Sequence, residues 1–143
     1  MPSRQAFLGL VTSASAAALL AAAPAFAHHS FAMFDRQKEI TLKGTVKEFQ
    51  WTNPHSFIQI EAPDEKGMVV SYSIEMNSPN NLTRQGWKST ALKAGDKVTV
   101  VMNPLRDGSR GGLFVSVVLP DGKVLGDPTR APGFPTSPQA KPG

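Results

Sequence analysis

The chain has 143 residues, 15 Lys+Arg against 11 Asp+Glu, a formal net charge of +4 and no cysteine. That length accommodates one domain and a targeting segment. The missing cysteine excludes disulfides, thiol catalysis, thiolate metal sites and a lipidated N-terminal Cys. The cation excess is spread along the chain without a Lys/Arg block, which argues against a nucleic-acid partner.

The first element is a targeting segment. Arg4 supplies a positive n-region, Phe7 to Ala23 is apolar, and Ala25-Phe26-Ala27 is a small-x-small cleavage site. Thr12, Ser13 and Ser15 interrupt the apolar run and Pro24 ends it, so it is poorly suited to crossing a membrane. Residues 1–27 are therefore expected to be a signal peptide cleaved after Ala27. A periplasmic mature chain would begin at His28, with no transmembrane span left. Ser3-Arg4-Gln5-Ala6-Phe7-Leu8 looks like a twin-arginine box with Gln5 in place of the second arginine. That departure favours the general secretory route.

The mature chain reads as short strands separated by turn signals. Ile40, Leu42 and Val46 alternate, and the apolar phase then slips to Phe49 and Trp51. The slip, near Gly44, predicts a long first strand with a bulge or sharp coil. Ser56 to Glu61 and Met68 to Met76 read as a hairpin around Pro63-Asp64-Glu65-Lys66-Gly67. Ser78 as cap, Pro79 at the first position and Gly86 at the end predict one short helix, Pro79 to Gln85, anchored by Leu82 and Trp87. Lys97 to Met102 and Leu113 to Leu119 are the fourth and fifth strands, joined by a loop from Asn103 to Gly112. A short closing strand at Val124-Leu125 follows. The expected fold is all-β, a small OB-like five-stranded barrel with one short helix between strands 3 and 4; a Greek-key sandwich is the alternative. The domain is bounded as 28–126, and 127–143, with Pro128, Pro132, Pro135, Pro138 and Pro142, as a disordered tail.

The three histidines fall at His28-His29 and His55. Cleavage after Ala27 would give His28 a free α-amine with a pKa near ~8. That amine, its own ring and a second imidazole form a three-nitrogen set suited to Cu(II), so His28, His29 and His55 are the candidate metal ligands and copper the candidate cofactor. A hairpin centred on Glu65 sets Ile58 against Tyr72, Ile60 against Val70 and His55 against Glu75. Glu75 can then orient His55 through its other ring nitrogen, or form an ordinary cross-strand pair. Asp35 and Met33 on the N-terminal arm are further candidates, with Phe31 and Phe34 expected to tie the arm down.

No G-x-S-x-G, H-E-x-x-H or phosphate loop is present, and Gly108-Ser109-Arg110-Gly111-Gly112 reads as a flexible connection. The expectation is a binding protein rather than an enzyme. A metal-independent alternative is recognition of a periplasmic protein, peptide or glycan through Trp51, Phe57 and Gln59 on the barrel face. Trp87 is expected in the core.

Several strings stand together: His28-His29-Ser30-Phe31-Ala32-Met33-Phe34-Asp35, Trp51-Thr52-Asn53-Pro54-His55-Ser56, Ser78-Pro79-Asn80, Arg84-Gln85-Gly86-Trp87 and Leu92-Lys93-Ala94-Gly95-Asp96-Lys97-Val98. In combination the chain is similar, from about His28 to Leu125, to a family of small exported bacterial proteins known only as a domain of unknown function. The resemblance implies an exported single domain. It implies no activity, substrate or ligand set.

Overall fold

The computed structural model describes residues 31–133. Six strands run β1 (Ile40–Gln50), β2 (Phe57–Pro63), β3 (Val69–Glu75), β4 (Lys97–Pro104), β5 (Gly111–Val118) and β6 (Val124–Gly126), with one α-helix, α1 (Pro79–Arg84), between β3 and β4. Sheet order is β3-β2-β1-β4-β5-β6, and β3 also pairs with β5 in parallel. That second pairing closes β1–β5 into the OB-like barrel. β6 extends the sheet from β5 as a hairpin rather than closing it.

β1 is long because it serves both halves of the barrel. Its first half pairs with β4 and its second with β2, overlapping at Thr45, and the register slips between Val46 and Glu48. The bulge lies just beyond the position expected near Gly44. Gly44 instead makes room for a neighbouring strand. A Cβ there would stand 2.4 Å from the Glu61 carbonyl oxygen, so glycine permits β2 to approach.

The β2–β3 hairpin turns about Lys66, not Glu65. Asp64 Oδ1 accepts from the Lys66 and Met68 amides at 2.9 and 3.0 Å, and Gly67 takes a φ of 79°. Ile58 consequently faces Ile74, and Ile60 faces Tyr72. The partners expected from the Glu65-centred turn are displaced by two residues. An even displacement leaves every side chain on its intended face, because side-chain direction alternates with period two.

Ser78 caps α1 by accepting from the Asn81 amide, and Gly86 ends the turn with φ 87°. The helix lowers Leu82 and Trp87, each 2% exposed, into the barrel. There they join Leu42, Val46, Ile58, Ile60, Ile74 and Val100 in one core. Burying each such aliphatic side chain is worth about 1.5–3 kcal/mol.

Two differences from the sequence expectation exceed a shift of one or two residues at an element's end. Gly111 and Gly112 open β5 and are buried in it, whereas their composition reads as flexible loop. They pair with Ser73 and Ile74 at the barrel closure, where a Cβ on Gly111 would lie 2.4 Å from the Ser73 carbonyl oxygen. At the other end, Asp127 caps a 3-10 helix over Pro128–Arg130. Arg130 pairs with Glu39, Ser116 Oγ donates to the Arg130 carbonyl at 3.4 Å, and Ala131 is buried. Residues 127–133 therefore continue the folded domain, where a disordered tail was expected; the rest of that stretch lies outside the described residues. Among the described residues no helix is long and apolar enough to cross a membrane.

Candidate functional site

His55 sits just before β2, after a β1–β2 connection containing a cis Asn53–Pro54 bond. The pairing continues past the strand ends: the Ser56 amide donates to the Asn77 carbonyl at 3.1 Å and the Met76 amide to the Ser56 carbonyl at 2.8 Å. Glu75 is directly opposite Phe57, so it reaches His55 as a diagonal neighbour on the same face. His55 Nδ1 and Glu75 Oε1 form a hydrogen bond. A carboxylate can only accept, so Nδ1 carries the proton of this bond, and in the neutral form of the ring the lone pair falls on Nε2. The His55 side chain is 34% exposed and that of Glu75 17%, so solvent reaches the imidazole more than the carboxylate.

The pair forms one wall of a cavity of about 400 Å³. Leu82, Gln85 and Trp87 line it from α1 and the turn beyond, Leu113, Phe114 and Val115 from β5, and Gly126 and Asp127 from the end of β6. Trp87 packs edge-on to Phe114, with ring centroids 5.3 Å apart. Gly126 adopts φ 91°, and a Cβ there would stand 2.7 Å from Phe114 Cε1, so glycine keeps that ring in position. Asp127 Oδ1 accepts from the Thr129 amide at 3.0 Å and the Thr129 hydroxyl at 2.6 Å. These bonds hold its carboxyl below the ordinary aspartate value, the Thr129 hydroxyl being the largest cause.

The N-terminal arm borders the same cavity at Phe31. Phe34 is 2% exposed and bridges to Leu105, anchoring the arm as expected, while Phe31 stays 61% exposed and contributes to the cavity wall. His28 and His29 lie outside the described residues. Asp35 serves the arm itself: its amide donates to the Pro104 carbonyl at 2.8 Å, and its carboxylate takes the Gln37 amide at 3.2 Å and Lys38 at 3.6 Å. Asp35 does not line the cavity. The Met33 carbonyl accepts from the Arg106 amide, and its side chain is exposed. Among the described residues no group of three His, Asp or Glu side chains forms a metal cluster.

The face candidates separate. Trp51 packs against the core, edge-on to Phe49 at 5.6 Å. Phe57 and Gln59 are half-buried on the opposite face of β2 from Ile58, and Gln59 Nε2 donates to Gln50 Oε1 and Ser73 Oγ at 3.1 and 3.0 Å. Sequence reasoning missed Leu82, Gln85, Phe114 and Asp127 as one lining. Leu82 and Phe114 carry only the apolar periodicity of core positions, and Asp127 stands in a Pro-rich stretch.

No curated protein matches the chain. Among solved structures, the mitochondrial single-stranded DNA-binding protein Rim1 of S. cerevisiae is similar over 57% of this chain and 92% of its own, at 14% identity and a TM-score of 0.43. A family model matches residues 16–115, most of the sequence, and the chain belongs to that family, DUF6152, a family of unknown function.

Proposed function

We propose that the protein is an exported, periplasmic binding protein that holds copper, or a metal of similar preference, through His28, His29 and His55. It acts as a binding protein rather than a catalyst, without nucleic acid as partner. The supporting observation is the Glu75–His55 bond, which orients a ring that lines the cavity and, in its neutral form, leaves Nε2 as the lone-pair donor. Phe31 lines the same cavity. Only His29 and Ser30 separate it from His28, and three residues extend at most ~10 Å, a span within which a terminal amine and imidazole can converge on His55. The competing reading, recognition through Phe57 and Gln59, is less well supported because the Gln59 amide is already bonded within the sheet.

The test begins with chain recovered from the periplasm, its first residue identified by mass spectrometry. Cu(II) titration followed by EPR should show nitrogen hyperfine structure that His55→Ala reduces. Glu75→Gln should weaken Cu(II) binding about 10–100-fold, the usual cost of losing a ligand's supporting partner. A mature chain that binds copper no more tightly than a free His-His peptide would overturn the reading.

A further inference from the structure

We propose that the cavity bounded by α1, β5 and the His55–Glu75 pair binds, independently of any metal, a small organic cation: an amine carried on an apolar body. Its size, about 400 Å³, falls within the roughly 300–1,000 Å³ of small-molecule sites. Its lining divides by chemistry. Leu82, Trp87, Leu113 and Phe114 supply an apolar and aromatic wall, while Glu75 and Asp127 supply carboxylates.

Among the described residues no Lys or Arg lines the cavity. An organic anion would thus meet two carboxylates and, apart from the His55 ring already bonded to Glu75, no basic side chain in the lining. An ammonium would find carboxylate acceptors and aromatic rings that attract cations in the same lining. Each carboxylate also keeps acceptor capacity: among the described residues, side-chain hydrogen bonds engage Glu75 only through Oε1 and Asp127 only through Oδ1. A neutral apolar molecule would leave these groups desolvated and unanswered, which costs binding energy. The charge pattern is local. Another depression in the barrel surface, of about 610 Å³, is lined by Lys43 and Lys97 together with Glu61.

The test uses the mature chain in the presence of EDTA, so its result is independent of any metal. Phenethylamine, phenethyl alcohol and phenylacetate share a ring and differ in charge. Calorimetric titration should show the amine binding about tenfold more tightly than the alcohol, the equivalent of one charge-assisted hydrogen bond, and phenylacetate more weakly than either. Asp127→Asn should remove most of the amine's advantage over the alcohol. Leu113→Trp, which fills the wall, should abolish binding of all three while the far-UV circular dichroism spectrum stays unchanged. If Leu113→Trp fails to fold, the Asp127→Asn comparison decides. Equal affinity for amine and alcohol, an amine advantage that survives Asp127→Asn, or no amine binding at millimolar concentration would overturn the proposal.

Discussion

Two neighbouring residues, His55 and Ser56, show how one strand step separates chemistry from packing. His55 turns to the outer face and finds Glu75, while Ser56 is wholly buried and its hydroxyl has no hydrogen-bond partner among the described residues. A buried hydroxyl without a partner carries its desolvation penalty unrelieved. Ser56→Ala should therefore leave stability unchanged or raise it by about 1 kcal/mol, read as the shift in urea midpoint at constant slope. The sequence was informative about His55 and silent about Ser56. Alternation along a hairpin puts His55 and Glu75 on one face even with the turn centre displaced by one residue, because the pairing then moves by two. Whether Oγ meets an acceptor depends on atoms from other elements, which no local pattern encodes.

At the scale of elements, the loops and strand ends carry the larger surprises. Gly112 has no Cβ, and one added there would lie 2.3 Å from the Asn103 carbonyl oxygen and 2.9 Å from Met102 Sδ. Gly112→Ala should destabilise the domain by about 1–3 kcal/mol through overpacking, measured by chemical denaturation. The 3-10 helix at Pro128–Arg130 makes a prediction about pH. Its cap, Asp127, has a carboxyl held below the ordinary value, so it stabilises the fold above the unfolded-state pKa of ~3.9. That contribution disappears as pH falls through the lower folded-state value. The stability difference between the native chain and Asp127→Asn should thus be full near pH 5 and shrink toward pH 2, followed by urea unfolding across that range. α1 was legible because Ser78, Pro79 and Gly86 are local punctuation, and its predicted end differs by one residue from the observed Arg84. Gly111-Gly112 was not legible, because a glycine pair looks alike in a loop and at a crowded strand crossing.

Across the whole molecule, stability and the cavity share one foundation. Trp87 is 2% exposed, packs against Phe49 and Phe114, and also lines the cavity. Trp87→Ala should cost about 3–5 kcal/mol, a large part of the ~5–15 kcal/mol that holds a typical domain together. Thermal unfolding followed by circular dichroism should show a sharply lowered midpoint.

The order of strands, the capped helix, the core position of Trp87 and the shared face of His55 and Glu75 follow from the sequence, because each is written in alternation, caps and turn residues a few positions apart. Tertiary structure decided the rest. The parallel β3–β5 seam joins Ser73–Glu75 to Gly111–Leu113, residues far apart in the chain that meet only because the coiled β1 brings the sheet around. The same closure gathers Leu82, Phe114 and Asp127 beside His55, and residues 127–133 fold because Ala131 and Arg130 find partners on the finished barrel. Local patterns specify which side a residue faces; shape complementarity among distant elements determines what it meets there.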